Sequence, residues 1–302
     1  MTGPFDTPDM ALVVHAPAKI NLALHVVGQR VDGHHLLESV VTFADRGDRV
    51  MLALADEDRF TLSGPFSDQL SREAGGRGGN LVLAARDLLR DTLQADGYEA
   101  QPVQIHLEKN LPIASGIGGG SADAAATLKG LTTLWQAESA AGNLVALGLA
   151  LGADVPMCLE GRPLIARGIG EEITALDMPA FHALLVNPLV GVSTPAVFRA
   201  LAHKTNAALD LPENLSRGAD WLGVLDALRN DLQPPALSLE PAIGAVLEAL
   251  ELTGAPVLRM SGSGATCFAL YATAEVRDQA AVALTAARPD WFVMACETVS
   301  AV

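Results

Sequence analysis

A chain of 302 residues, half of them hydrophobic and 18% charged, has the apolar content for a large core, which excludes extended disorder and favours two closely packed domains. Its 20 basic and 35 acidic residues give a net charge of −15, the wrong sign for general attraction to nucleic acid or to an anionic membrane. The three cysteines lie far apart without a CxxC pair, which argues against a disulfide framework and indicates a reducing, cytoplasmic compartment. The most apolar stretch, Leu144–Leu159, is interrupted by Asp154 and Pro156, so no membrane span is expected.

The first sixty residues are typical of β-structure. Turn-rich pieces such as Asp32-Gly33 separate four apolar runs. We predict strands at Ala11–Ala16, Ile20–Val27, Leu36–Phe43 and Arg49–Leu54. Asn80 then stands directly before the helical pattern Leu81–Leu93, where its side chain is well placed to cap the helix.

A strand, a glycine-rich loop and a helix follow one another in the middle of the chain. Pro102–Leu107 alternates like a strand, Glu108–Gly120 is a loop, and Ser121–Trp135 is a helix of small residues. The second half begins near Phe181 and mixes strands with helices, as an α+β protein does. Its predicted elements are His182–Val186, Pro195–Leu201, Leu222–Arg229, Pro241–Leu252, Ala265–Tyr271, Ala274–Ala287 and Trp291–Glu297.

The central loop has the composition of an anion cradle, with glycines at positions 116, 118, 119 and 120. Glycine lets the backbone approach a ligand and aim N–H groups at it, and the following helix adds partial positive charge. A plain tight turn is the alternative. A P-loop is excluded because the chain has no Gly-Lys pair. The match to a dinucleotide fingerprint is superficial, because no second strand carries Glu138 to the ribose.

Four further motifs accompany this loop in a fixed order. They are Ala16–Leu22, Asp32–His35, Leu151–Pro156 and Ser261–Ala265. Together with the loop they resemble the superfamily of galactokinase, homoserine kinase, mevalonate kinase and phosphomevalonate kinase. Within that superfamily, the resemblance is to the branch that acts on a cytidine diphosphate-linked methylerythritol, and it covers nearly the whole chain.

The resemblance implies an α+β fold of two domains. Residues 10–177 would form an ATP-binding domain related to the second domain of ribosomal protein S5, and residues 178–302 a ferredoxin-like domain, with the active site in the cleft between them. It also implies that ATP, with Mg²⁺ bridging its phosphates, phosphorylates the 2-hydroxyl of the acceptor in the non-mevalonate route to isoprenoid precursors. The expected ATP-binding residues are Pro112, Ile113, Ala114, Ser115, Gly116, Ile117, Gly118, Gly119, Gly120, Ser121 and Ala122.

Lys19 and Asp154 are the catalytic residues by this resemblance. Asp154 would accept the proton of the substrate hydroxyl, and Lys19 would pair with it and stabilise the developing charge on the oxygen. Asp154 stands in an otherwise apolar stretch, where an unpaired carboxylate is costly, although a helix-capping aspartate is the plain alternative. An ordinary surface lysine is the alternative for Lys19.

The expected substrate-binding residues are Asn21, His34, His35, Thr194 and Phe198. Asn21 would position the substrate, and His35 would hydrogen-bond the base. The family usually carries tyrosine where this chain has His34, and that ring stacks on cytosine opposite the phenylalanine that matches Phe198. An imidazole stacks over less area, so cytosine affinity is in doubt, and His34 could also be a plain turn residue.

A second glycine-rich turn, formed by Ser261, Gly262, Ser263 and Gly264, would cover the phosphates, although a hairpin turn is the plain alternative. The metal ligands are open, with the Ser121 hydroxyl as one candidate. Three other functions are weighed against the main one: another kinase of the superfamily, a nucleotide-binding sensor without catalysis, and nucleic-acid binding, which the net charge opposes. The oligomeric state cannot be inferred from the sequence.

Overall fold

The structure is a computed structural model that describes residues 12–70, 79–138, 144–212, 215 and 220–301. Ala11 and the predicted domain start at residue 10 lie outside these residues. Contacts divide the chain into two compact units, each assembled from separate segments. Unit 1 comprises Met1–Ala18, Gly47–Ile113 and Gly119–Glu160, and unit 2 comprises Lys19–Arg46, Ala114–Gly118 and Gly161–Val302. The boundary at residue 177 stays a prediction.

Two long strands, β1 (Leu12–Gln29) and β2 (His35–Leu54), contribute residues to both units. They replace the four short strands that the sequence predicts. β1 continues through Pro17 because the fixed φ of proline suits an extended chain. β2 continues through Gly47 and Asp48, where glycine is required because a Cβ at position 47 would lie 2.0 Å from the Ala16 carbonyl oxygen.

Unit 1 combines helices with a small sheet. The second half of β2 pairs antiparallel with β4 (Val103–Glu108), which pairs in parallel with β3 (Arg59–Ser63). The helices are α1 (Leu81–Ala95), α2 (Gly119–Leu134), α3 (Leu144–Leu151) and α4 (Val155–Glu160). The side chain of Asn80 accepts the Val82 N–H at 2.9 Å, so the predicted cap of α1 is confirmed. Small residues let α2 approach the sheet, since a Cβ at Gly130 would lie 2.3 Å from Leu52 Cδ1.

Unit 2 contains two groups of paired strands. In the first group, the first half of β2 pairs with β5 (Leu164–Gly168), which pairs with β6 (Glu172–Ala175). The second group is a four-stranded antiparallel sheet. This sheet has the order β10-β7-β9-β8, and its elements are β7 (His182–Asn187), α5 (Thr194–Arg199), α6 (Trp221–Asp226), α7 (Gln233–Leu239), α8 (Ala242–Glu251), β8 (Val257–Met260), β9 (Cys267–Tyr271), α9 (Ala274–Ala287) and β10 (Phe292–Glu297). A strand, helices, two strands, a helix and a strand in this succession form a ferredoxin-like arrangement, as predicted.

The core of unit 2 lies between this sheet and its helices. Leu184 of β7 and Ala269 of β9 are fully buried against Ile243 and Val246 of α8. The sequence did not predict α7, which has two prolines directly after its first residue, in the first turn, where a helix needs no N–H donor. In the described part of the chain, no helix is both long and apolar enough to cross a membrane.

Candidate active site

Two glycine-rich segments that the sequence predicts as ligand loops lie against each other in unit 2. The Ser261 hydroxyl donates to the Gly116 carbonyl at 3.0 Å, and the Thr266 N–H donates to the Ser115 carbonyl at 3.1 Å. Gly116 has a φ of +77°, and a Cβ there would lie 2.6 Å from the Ser261 carbonyl oxygen. Gly262 has a φ of +56°, and a Cβ there would lie 2.9 Å from the Gly116 carbonyl oxygen. The glycines therefore permit direct contact between the two backbones.

Lys19 lies directly beside the first of these segments. Its N–H donates to the Ile117 carbonyl at 2.8 Å, and the residue is 4% exposed. A Cβ at Gly118 would lie 3.1 Å from Lys19 Cβ and 3.3 Å from Lys19 Cε. The stem of the lysine therefore passes over Gly118, which holds the predicted catalytic cation against the predicted phosphate loop.

Asn21 is tied into the same cluster and presents one free acceptor. Its backbone N–H donates to the Ser261 hydroxyl oxygen at 3.0 Å, and its Nδ2 donates to Ser39 Oγ at 2.8 Å. Ser39 Oγ in turn donates to the Ala23 carbonyl at 2.6 Å. Because the serine proton is already used, Ser39 must accept from the amide nitrogen, which fixes Asn21 Oδ1 on the other side. This oxygen is buried and has no hydrogen-bond partner among the described residues, and it lies 3.4 Å from where a Cβ of Gly262 would be.

Two of the three residues predicted to bind the nucleobase, His35 and Phe198, are in contact, whereas the third, His34, lies in an exposed turn. His35 stacks on Phe198 with ring centroids 4.8 Å apart and planes 25° apart. Burial, together with the charges of Lys204 and His34, lowers the pKa of His35, so its imidazole is neutral near pH 7. His34 is 64% exposed, and its backbone N–H donates to the Asp32 carboxylate at 3.1 Å. His35 therefore occupies the face of Phe198, whereas His34 lies in a polar turn.

Two residues predicted for different ligands meet at the surface of unit 2. The hydroxyls of Thr194, predicted for the acceptor, and Ser263, predicted for the phosphates, are 2.7 Å apart. This contact joins the start of α5 to the second glycine turn.

The remaining predicted residues belong to unit 1. Gly119, Gly120, Ser121 and Ala122 form the first turn of α2, whose free N–H groups are the expected anion donors. Asp154 immediately precedes α4, and its carbonyl accepts the Cys158 N–H at 3.2 Å. The residue is half-buried. The short helix α4 starts directly after it, and the first four residues of that helix are buried.

One residue that stabilises the site was not predicted from the sequence to belong to it. Asn230, which is not among the predicted site residues, donates through Nδ2 to the carbonyls of Met260 and Gly262 at 2.7 and 2.8 Å. It therefore fixes the second glycine turn. The only signal was a polar Asn-Asp pair after an apolar helix.

Two family models match the chain. The GHMP kinase N-terminal domain matches residues 80–162, and the GHMP kinase C-terminal domain matches residues 207–290. The solved structure of a homoserine kinase from Cytophaga hutchinsonii shares this fold, with a TM-score of 0.67 over 98% of this chain and 96% of that one, at 20% identity. Fold and loops thus define the class of protein as the GHMP kinases.

Curated relatives identify the family within the GHMP kinases to which the chain belongs. The 4-diphosphocytidyl-2-C-methyl-D-erythritol kinases of Sinorhizobium medicae (strain WSM419) and Rhizobium meliloti (strain 1021) are each 62% identical, over 95% and 96% of both chains respectively. A crystal structure of 4-(cytidine 5'-diphospho)-2C-methyl-D-erythritol kinase aligns with 97% of this chain and 100% of its own, with a TM-score of 0.75 and 31% identity. The chain belongs to the family of 4-diphosphocytidyl-2-C-methyl-D-erythritol kinases, which confirms the resemblance seen in the sequence.

Proposed function

We propose that this chain transfers the terminal phosphoryl group of ATP to the 2-hydroxyl of 4-diphosphocytidyl-2-C-methyl-D-erythritol, a step in the non-mevalonate route to isoprenoid precursors. The observation that carries the proposal is the cluster in unit 2. There Lys19 lies on Gly118, and Asn21 is bonded to Ser261 and carries a free acceptor oxygen. A cation, an anion cradle and a hydroxyl-orienting amide are the groups that phosphoryl transfer to an alcohol needs.

ATP would bind through the loop Pro112–Ala122. The backbone N–H groups of the loop and the first turn of α2 would receive the phosphate oxygens, and the turn Ser261–Gly264 would cover them. Mg²⁺ would neutralise phosphate charge in this reaction. In the described part of the chain no cluster of three histidine, cysteine or acidic side chains could hold a metal ion. The Ser121 hydroxyl is the candidate protein ligand, and phosphate oxygens and water would supply the other ligands.

Catalysis would depend on Asp154 and Lys19. The 2-hydroxyl oxygen forms a bond to the γ-phosphorus while the bond from that phosphorus to the β–γ bridging oxygen breaks, and ADP leaves. Asp154 takes the hydroxyl proton late in the transfer, and Lys19 stabilises the charge that develops on the attacking oxygen. Because the transition state is loose, positioning and charge stabilisation contribute most of the rate enhancement.

The acceptor would be held by its two ends. The free Oδ1 of Asn21 accepts a hydrogen bond, so it suits a hydroxyl of the methylerythritol and repels a phosphate oxygen. The cytosine would lie at Phe198, with neutral His35 as its hydrogen-bonding partner and His34 in the place of the usual family tyrosine. Thr194 would contact the same substrate. The proposed domains are residues 10–177 for ATP and residues 178–302 for the substrate side, and the proposed compartment is the cytoplasm.

A coupled ADP-release assay with magnesium-ATP tests the substrate assignment. The acceptors compared are 4-diphosphocytidyl-2-C-methyl-D-erythritol, homoserine, mevalonate and galactose. We expect turnover with the first acceptor alone. Turnover only with another acceptor would assign the chain to a different activity of the GHMP class, and turnover with none would favour a nucleotide-binding sensor.

A further inference from the structure

Unit 1 contains a buried cluster of three ionisable side chains that the proposed reaction does not use. Lys109, Asp48 and Asp123 are 2%, 0% and 2% exposed. The Lys109 ammonium donates to Asp123 Oδ2 at 2.8 Å and to Asp48 Oδ2 in a shorter contact. Such a cluster is a weak source of stability, because desolvating charges offsets most of their attraction. A buried cluster of this kind can instead fix one arrangement of the chain.

The cluster holds the N-terminal end of the phosphate loop. The second oxygen of Asp48, Oδ1, accepts the backbone N–H groups of Asn110 and Leu111 at 2.5 and 2.8 Å. These two residues lead directly into Pro112, the first residue of the loop. A carboxylate that accepts two backbone N–H groups determines the direction in which the chain leaves it.

The same cluster holds the C-terminal end of the loop. Asp123 lies in the second turn of α2, and Gly119 begins that helix. A Cβ at Gly119 would lie 3.1 Å from Lys109 Nζ and 3.6 Å from Asp48 Oδ2. A side chain at position 119 would therefore press on the ammonium, independently of any phosphate. Both ends of the loop rest on one buried cation.

We propose, on the basis of the proposed function, that Asp48, Lys109 and Asp123 are positioning residues for ATP, which set the phosphate loop by fastening both of its ends. A cradle of N–H groups binds phosphate well only when the groups are already aimed. Loss of the cluster would let the two ends separate, so ATP binding would weaken while acceptor binding would persist.

The charge state of the cluster separates the roles of its two acids. Burial, and then the Asp48 charge, raises the pKa of Asp123 to about 8 against the pull of Lys109, so Asp123 is mostly a neutral acid at pH 7. Its Oδ1 has no partner among the described residues. An asparagine has the same shape and no charge, so it should replace Asp123 but not Asp48, which uses Oδ1 to accept two N–H groups and Oδ2 to accept from the ammonium.

The test compares Lys109→Met and Asp123→Asn with Leu93→Ala, a fully buried truncation in α1 that lowers stability without touching the loop. The KM of ATP, the KM of the acceptor and Tm are measured for each variant. We expect Lys109→Met to raise the KM of ATP at least about tenfold, with the acceptor KM within about twofold. Asp123→Asn should keep both values within about threefold, and Leu93→Ala should lower Tm but leave the KM of ATP unchanged.

An unchanged KM of ATP in Lys109→Met, or an equal rise in Leu93→Ala, would overturn the proposal. If Lys109→Met does not fold, Asp123→Ala against Asp123→Asn decides, since only the alanine should weaken ATP binding. Titration calorimetry with a non-hydrolysable ATP analogue measures the same differences without an acceptor. A wild-type chain that binds the analogue but phosphorylates no acceptor would refute the proposed reaction and leave this cluster testable.

Discussion

The orientation of one amide group decides what Asn21 can bind. Ser39 uses its proton on the Ala23 carbonyl, so it can only accept from Asn21, and Oδ1 faces away from it. A free carbonyl oxygen is an acceptor for a hydroxyl and is unfavourable beside phosphate oxygens. At the scale of single residues, the hydrogen bonds that Ser39 makes thus determine which atom of Asn21 is available to the proposed acceptor.

Asp154→Asn tests the proposed base. The amide keeps the shape of the carboxylate but cannot take the hydroxyl proton, so kcat should fall by at least about 10², with both KM values near those of the wild type. Steady-state ADP release gives these constants. Asp96→Asn, at the end of α1, is the matched control and should keep full activity. Near-normal turnover of Asp154→Asn would remove this residue from the mechanism.

His34→Tyr tests the proposed base pocket. A phenol ring offers more stacking area than an imidazole, so the KM of the cytidine-linked acceptor should fall about threefold or more, while the KM of ATP stays constant. His203→Tyr, another exposed histidine of unit 2, serves as the control. If His34→Tyr changes neither KM, position 34 takes no part in stacking.

At the scale of elements, three glycines of the phosphate loop each face a different close neighbour. A Cβ at Gly116 would meet the Ser261 backbone, one at Gly118 would meet Lys19, and one at Gly119 would meet Lys109. The glycine pattern therefore records close packing around the loop as well as the approach of phosphate.

Gly118→Ala tests the contact between the loop and Lys19. Its Cβ would press on Lys19 at 3.1 Å, so we expect kcat to fall at least about tenfold as the ammonium shifts. Gly97→Ala is the matched control, because Gly97 has a similar φ of +78° against +65° but no atom within 4 Å of its Cβ position. Equal losses in the two variants would show that backbone strain alone explains the effect.

The elements also show what sequence patterns reveal and what they miss. The α1 cap, α2 and α9 follow from local signals, and the sequence motifs identified both glycine-rich segments. Local patterns broke β1 at Pro17 and missed α7. They could not reveal Ser39 beside Asn21, Asn230 beneath Gly262 or Asp48 beside Lys109. These pairs are 18, 32 and 61 residues apart in the chain, and only the fold brings them together.

At the scale of the whole molecule, a chain with a net charge of −15 must capture a polyanion through local groups. Two of its four lysines, Lys19 and Lys109, are buried beside the phosphate loop. The rest of the surface contributes little attraction for ATP, so long-range steering is weak and binding depends on the prepared loop.

The pH dependence of stability follows from Asp123. Its pKa is raised from 3.8 to about 8 by burial first, so between these values the folded chain keeps a proton that the unfolded chain releases. Rising pH therefore favours unfolding, and this contribution to stability is lost progressively up to about pH 8. We expect Asp123→Asn to gain in Tm relative to the wild type from pH 5 to pH 8. A Tm difference that is constant over this range would contradict the assignment.

The most direct test of the central claim is the ³¹P NMR spectrum of the product made from 4-diphosphocytidyl-2-C-methyl-D-erythritol and magnesium-ATP. The carbon that bears the 2-hydroxyl also bears the methyl group and no hydrogen. A phosphate on that oxygen therefore gives a new phosphomonoester signal without three-bond coupling to a proton, beside an unchanged diphosphate, and this is the predicted result. A proton-coupled phosphomonoester would place the phosphate on another hydroxyl, and no new phosphomonoester signal would contradict the proposed reaction.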